Sequence, residues 1–362
     1  MLPTMIHSDP PITSGLRPSR TGFRGASLLS VGTYRPPDTV TNENFRTPTA
    51  SDPDVWLRRR TGIRKRHYAR ENDTVASMAA AAARRALEVA GVGAEHVDTV
   101  IVATSTHMLC TPPAAAQVAH EIGTANAAAF DLAAGCSGFT HALAVAADLV
   151  SCGSSENVLV IGSEKLTTRL DLDDIYTAPL FGDGAGAVLI GPSDRDGIGR
   201  VVWGSDGGRR DSITQTVTWD DFLRDRHARP PVLAMDGPSV FRWAVELVPK
   251  VVKDIQSQVD VEIKAFIPHQ ANKRITDAVA RSTSLPPSVA VADDVTASGN
   301  TSAASIPLAM QTLLESRAAA PGDIALVVGF GAGLCWAGQL IELPAFRSAY
   351  EQSTATDSRA TA

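Results

Sequence analysis

The stretch Asp131-Leu132-Ala133-Ala134-Gly135-Cys136-Ser137-Gly138-Phe139 has a counterpart in the second half of the chain, Gly299-Asn300-Thr301-Ser302-Ala303-Ala304-Ser305, and the pairing of the two decides the fold. Each opens a helix of small residues. Before the first, a buried strand ends at Thr104-Ser105-Thr106-His107, and after it comes the apolar run Val158-Leu159-Val160-Ile161-Gly162. Before the second, Ala265-Phe266-Ile267-Pro268-His269 ends a strand, and after it comes Ile324-Ala325-Leu326-Val327-Val328-Gly329. One order of elements met twice predicts two duplicated halves. The closing turns agree too, since Gly182-Asp183-Gly184-Ala185-Gly186 is echoed by Gly329-Phe330-Gly331-Ala332-Gly333-Leu334. Cys136 and Asn300 are then expected at pseudo-equivalent helix starts that converge on a pseudo-twofold axis. Ligands of α/β proteins bind at such places, beyond the carboxyl ends of strands.

Further out, apolar runs of strand length (Thr99–Ala103, 158–161) alternate with helical periodicity (77–89, 139–150), which predicts an α/β sheet protein. With 362 residues the chain has room for two domains, or for one large domain of two similar halves. The divisions expected are a flexible extension over 1–20, halves over 21–192 and 193–345, and a flexible tail over 346–362, both ends lacking periodicity. A formal net charge of −6 argues against a nucleic-acid partner. The basic clusters Arg58-Arg59-Arg60 and Arg64-Lys65-Arg66 suit a phosphate-bearing ligand, an acidic partner protein or simply a solvated helix face. No apolar run is long enough to cross a bilayer, so the expected location is the cytoplasm, with no membrane partner. Cys110, Cys136, Cys152 and Cys335 lack the spacing of a zinc site or a disulfide framework, so reduced thiols and no metal are expected.

The chemistry centres on Cys136. Unpaired amides at a helix start stabilise a thiolate, so its pKa is expected below that of a free thiol. Such a sulfur attacks a carbonyl, and the resulting oxyanion needs two N–H donors, for which the Cys136 amide and the Gly331-Ala332-Gly333 turn are candidates. His269 and Asn300 together can donate two hydrogen bonds to one oxygen, as an enolate formed by decarboxylation requires. Taken singly, each has a plainer explanation: a buried Cys as a small hydrophobe, a His at a strand end as a structural group, an Asn after Gly as a turn or cap. Found together on matching halves, they indicate an active site.

Five motifs in order, 131–139, 181–187, 268–272, 299–306 and 329–336, make the chain from about Gly22 to Pro344 resemble the β-ketoacyl-acyl-carrier-protein synthase III family of the thiolase superfamily, and its actinobacterial members in particular. The resemblance implies a thiolase-like duplicated five-layer αβαβα fold, a homodimer, and a catalytic triad of Cys136, His269 and Asn300. It implies a decarboxylative Claisen condensation in which Cys136 takes an acyl primer from acyl-CoA and passes it to malonyl-acyl carrier protein, the two thioesters being substrates and no cofactor being needed. The oxyanion hole is implied at the amides of Cys136 and Ala332. Coenzyme A and pantetheine contacts fall on Trp56, Arg60 and Asn272, and the acyl pocket on Thr111, Phe181, Met235 and Phe241. Arg242, Lys273 and Arg274 fall on the rim that docks the acidic carrier protein.

Some positions depart from the family pattern. Ile175 replaces an arginine expected near the nucleotide, which points to weaker CoA binding or another thioester carrier. Thr111 replaces a phenylalanine at the dimer-contributed end of the pocket, leaving room for a longer or branched primer, and Pro238 stands where some members have a CoA-binding asparagine. Two other readings compete: an acyltransferase of the same fold that does not decarboxylate, and a papain-like cysteine hydrolase, with which the mid-chain cysteine and the duplication disagree.

Overall fold

The computed structural model describes residues 24–347 apart from 49–51, 125, 226 and 228. Ten strands form two five-stranded sheets. The first holds β1 (Gly25–Tyr34), β2 (Thr99–Ala103), β3 (Ala128–Leu132), β4 (Val158–Glu164) and β5 (Gly184–Ser193). The second holds β6 (Val202–Ser205), β7 (Ala265–Pro268), β8 (Ala290–Val291), β9 (Ile324–Gly331) and β10 (Cys335–Glu342). Their spatial orders, β1-β5-β4-β2-β3 and β6-β10-β9-β7-β8, are the same order half a chain apart. The senses agree as well: β4-β2-β3 and β9-β7-β8 run parallel, while β5 and β10 oppose both of their neighbours.

Parallel neighbours need crossovers, and helices provide them. After α1 (Pro53–Thr61), the crossovers of the first half are α2 (Val75–Ala90), α3 (Ala114–Ile122) and α4 (Gly138–Ser151). Those of the second are α5 (Gly237–Gln256), α6 (Lys273–Ser282) and α7 (Ser305–Glu315). The α2 helix begins two residues earlier than its periodicity predicts, because Thr74 and Ser77 form a capping box around its first turn. Side chains on β4 alternate: Val158 and Val160 face α4 and α7, while Leu159 and Ile161 face α2 and α3. A strand buried on both faces reads as one apolar run, which is why this segment was legible. On the far side, Trp243, Val248 and Val252 of α5 pack on Phe266 and Leu326 of the second sheet. The layers are therefore αβαβα, with α4 and α7 enclosed between the sheets.

Two expectations need correction. The turns 182–186 and 329–334 are not equivalent, since 184–186 already lie in β5, whereas 329–331 end β9 before the hairpin into β10. Cys136 and Asn300 are not equivalent residues either. Each central helix is entered through a 3-10 turn, Gly135–Ser137 before α4 and Ser302–Ala304 before α7, so Cys136 corresponds to Ala303 and Asn300 lies three residues upstream of that position. The segment 1–20 lies outside the described residues, as does most of 346–362. Phe346 packs against the central core and Arg347 pairs with Glu88 at 3.4 Å. No described helix is long and apolar enough to cross a membrane.

Candidate active site

The two halves meet so closely that glycine is required on the strands that face each central helix start. A Cβ on Gly162 of β4 would stand 2.2 Å from the Ala303 carbonyl oxygen, and one on Gly329 of β9 would stand 2.4 Å from Thr140 Oγ1 and 2.9 Å from Ser137 Cα. Each half thus presses its fourth strand against the other's helix start. His269 extends the β7 ladder by donating its amide to Val328 O at 2.8 Å. Asn300 is fixed by a bridge to Phe181, with its amide donating to Leu180 O at 2.8 Å and its carbonyl accepting from Gly182 N–H at 3.0 Å.

Cys136, His269 and Asn300 line one cavity of about 780 Å³. Arg60, Phe181, Met235, Phe241, Asn272 and Arg274 line it too, together with Pro238 and Ala332. Asn272 also caps α6, its Oδ1 accepting from Ile275 N–H at 3.0 Å. Trp56 lies behind the mouth rather than on the wall: the Arg60 guanidinium sits 4.8 Å from the Trp56 ring and 5.4 Å from that of Tyr176, the neighbour of Ile175. Thr111 is exposed and away from the cavity of its own chain, and Arg242 is exposed on α5. The Lys273 ammonium is shared between Asp277 at 3.0 Å and Asp293 at 3.1 Å.

The largest correction concerns the thiol. Burial pushes the Cys136 pKa up to about 11, and the nearby Glu164 carboxylate adds to the rise. The Ser302 hydroxyl beside the sulfur and hydrogen bonds from the amides of Cys136 and Ala332 act in the opposite sense but do not overcome burial. Those two amides nevertheless converge on the sulfur, with Gly331 packed so closely that its Cβ would lie 2.7 Å from Cys136 Cβ. Burial takes the His269 imidazole down to about 3, so the ring is neutral at pH 7. Ser305 Oγ accepts from Gln270 N–H at 3.3 Å and lies 2.8 Å from His269 Nδ1; the tautomer in which Ser305 donates to Nδ1 is the one that turns an Nε2–H donor to the cavity. The Phe330 ring holds the imidazole edge-on, with centroids 5.4 Å apart. Asn300 Oδ1 accepts from Ser302 N–H at 2.8 Å, which leaves the amide NH₂ as its free end. The site therefore offers a sulfur, two converging amides and two neutral side-chain donors.

The family models for 3-oxoacyl-(acyl-carrier-protein) synthase III and for its C-terminal part match residues 130–207 and 257–343. A β-ketoacyl-(acyl-carrier-protein) synthase III of Streptomyces glaucescens is 46% identical over 334 residues, which cover 91% of this chain and 100% of that protein. This chain belongs to the 3-oxoacyl-(acyl-carrier-protein) synthase III family. A mycobacterial member from Mycobacterium tuberculosis is 44% identical over 90% of this chain and 97% of its own. Among solved structures, the priming β-ketosynthase from the R1128 polyketide biosynthetic pathway matches with a TM-score of 0.86 at 44% identity, covering 90% of this chain and 98% of that one. The family synthase from Pseudomonas aeruginosa PAO1 matches with a TM-score of 0.81 at 34% identity, covering 90% and 100%. The thiolase-like fold is thereby established, and the chain is an acyl-transferring condensing enzyme.

Several residues of the site escaped the sequence reading. Glu164 is fully buried at the end of β4, where it accepts from Ser105 N–H, from the hydroxyls of Thr106 at 2.5 Å and Ser302 at 3.0 Å, and from the Ser105 hydroxyl at 3.0 Å. Its only signal was a carboxylate two residues beyond the apolar run Val158-Leu159-Val160-Ile161-Gly162, which reads as a loop. Ser302 and Arg169, which line the cavity, and Ser305, which supports His269 from behind, gave none, since nothing in their local sequence marks them out.

Proposed function

We propose that this enzyme starts fatty-acid or polyketide chains by condensing an acyl primer with malonyl-acyl carrier protein, releasing CO₂ and a 3-ketoacyl-acyl carrier protein. One observation carries the reading: a partly buried thiol with two amides aimed at it shares a cavity with the neutral His269 imidazole and the Asn300 amide, which as the Nε2–H tautomer and the free NH₂ are two neutral donors. In the first stage Cys136 attacks the primer thioester and the carrier thiolate departs. The thiol is not stored ionised, so its proton leaves during attack, from sulfur to the Ser302 hydroxyl, which gives its own proton to Glu164. The leaving thiolate takes a proton from solvent. In the second stage His269 and Asn300 hold the malonyl thioester oxygen while CO₂ departs, the enolate carbon attacks the acyl carbonyl, and the C–S bond to Cys136 breaks, the thiolate recovering through Ser302 the proton held on Glu164. A neutral imidazole suits this task, because stabilising an enolate calls for hydrogen-bond donors and no strong base.

Remaining assignments follow from placement. Arg60 and Tyr176 at the mouth, with Trp56 behind them against the Arg60 guanidinium, suit an adenine and its phosphates, with Asn272 along the pantetheine arm. Phe181, Met235 and Phe241 wall the acyl chamber, and the exposed Arg242 and Arg274 flank the entrance for an acidic carrier protein. The side chains and amides suffice for the chemistry without a cofactor, and four unpaired cysteines fit a reducing cytoplasm. The acyl chamber is completed by Thr111 of a second copy in a homodimer.

The test is ¹⁴CO₂ release from labelled malonyl-acyl carrier protein together with intact-protein mass spectrometry. Wild type and Asn300→Ala should gain the mass of the acyl group and Cys136→Ala should not, while Asn300→Ala should release CO₂ about 10²–10³-fold more slowly. Acyl product without CO₂ would reduce the enzyme to a simple acyltransferase, and an adduct on Cys110 or Cys152 would mean that another thiol is the nucleophile.

A further inference from the structure

Arg169 ends the 3-10 turn Leu166–Arg169 that follows β4, and it lines the same cavity as Cys136. Only 9% of its surface is exposed. Around it are apolar walls, with Leu166 and Leu170 clustered with Leu180 and Phe181, and with Leu233 and Met235 packed against them. Among the described residues Arg169 makes no hydrogen bond and no ion pair, and its Nε is buried without a partner. The Trp219 ring lies 5.1 Å from the guanidinium carbon, but stacking engages the face of the group and leaves its in-plane N–H fork unmet. Glu164 acts on it from a distance, yet the Glu164 oxygens are already taken up by Thr104, Ser105, Thr106 and Ser302. Neighbouring Asp171 is turned to Arg229, at 3.6 Å.

A guanidinium kept in an apolar chamber with open donors is costly unless something that enters the chamber satisfies it. A purely alkyl primer would displace water from those donors and give nothing back. We propose that the cavity selects an acyl primer with a carboxylate at its far end, received by the fork of Arg169, which makes Arg169 a specificity-determining residue. The inference rests on the acyl-Cys136 reading above and names its substrate class. A carboxylate matches the planar fork in two parallel hydrogen bonds and supplies the counter-charge, and the apolar walls hold the methylene chain between thioester and acid. The departure at Ile175 fits the same picture, since a primer anchored at its tail depends less on binding energy from the nucleotide end.

The test uses N-acetylcysteamine thioesters, so that neither CoA nor carrier protein enters the comparison: glutaryl and adipyl against pentanoyl and hexanoyl. Calorimetric binding to Cys136→Ala, in which no acyl transfer can occur, reads tail recognition by itself. The carboxylate-tailed pair should bind about tenfold or more tightly, the size of a charge-assisted hydrogen bond. In Cys136→Ala/Arg169→Met the preference should vanish or reverse, with alkyl binding kept or improved, which shows that the variant is folded. Arg169→Lys in the same background should keep part of the preference. Equal or weaker binding of the carboxylate pair, or a ratio untouched by Arg169→Met, would overturn the inference. Loading on wild-type Cys136 is followed separately by mass spectrometry: if no thioester acylates it, the condensing function fails while the binding ratio still decides the role of Arg169.

Discussion

At the scale of single residues, the thiol and its proton path carry the sharpest consequences. With a pKa near 11, Cys136 should react with iodoacetamide at a rate that climbs through alkaline pH with no plateau before about 10. Saturation by pH 8 would show a stored thiolate instead. Burial raises the pKa of Glu164, so on acidification this carboxylate takes up a proton above the usual carboxylate range and stops serving as acceptor. Acylation rate should therefore fall on the acid side with an inflection above pH 4.5, the ordinary value of the group, and Glu164→Gln should lower the plateau and abolish that inflection. An unchanged profile in Glu164→Gln would remove Glu164 from the proton path. The sequence shows why Cys136 was a candidate, since a rare residue stands where a helix opens, but not its pKa. The helix-start argument weighs only local amides, whereas burial is imposed by Gly331, Ala332 and Ser302 from the other half of the chain.

At the scale of elements, the contacts between strands and central helix starts set the spacing of the site. Gly162→Ala and Gly329→Ala each drive a methyl into backbone or near-backbone atoms at under 3 Å, so each should destabilise the fold by about 1–3 kcal/mol in urea titration. Gly207→Ala, which meets nothing within 4 Å, should stay within about 0.5 kcal/mol of wild type. Equal effects at all three positions would mean that the glycines serve chain flexibility and not contact. Strands such as β4 and β9 were legible because burial on both faces writes an unbroken apolar run. Their ends were not: Ser163 and Glu164 look like the start of a loop, and only the fold shows that the ladder continues through them to the cavity. The three-residue offset between Cys136 and Asn300 was hidden as well, because both stretches are glycine followed by small residues, and such stretches align with each other in more than one register.

At the scale of the molecule, the strand β3 is an edge. Phe130 on it is 38% exposed, and Met108 and Leu109, in the loop that leaves the adjoining strand β2, are 56% and 51% exposed. An unpaired edge flanked by exposed apolar side chains invites pairing with a second copy. Light scattering should give twice the mass of one chain, and Phe130→Asp should shift it toward a single chain with loss of condensation. A wild-type protein that runs as one chain would remove the dimer and with it the role given to Thr111. If the dimer forms, Thr111→Phe should move relative kcat/KM toward short primers, and unchanged ratios would exclude Thr111 from the chamber. Duplication was legible because it repeats an order of elements, which sequence records directly. Sheet order was not, because β1 pairs with β5 across more than a hundred intervening residues and no local pattern encodes that partner.

The single chamber that holds Cys136, His269 and Asn300 has a further kinetic consequence. Both thioester arms must occupy the same space against the same sulfur, so the first carrier has to vacate before the second can thread in. Double-reciprocal plots should be families of parallel lines, and each donor in excess should inhibit by invading the enzyme form meant for the other.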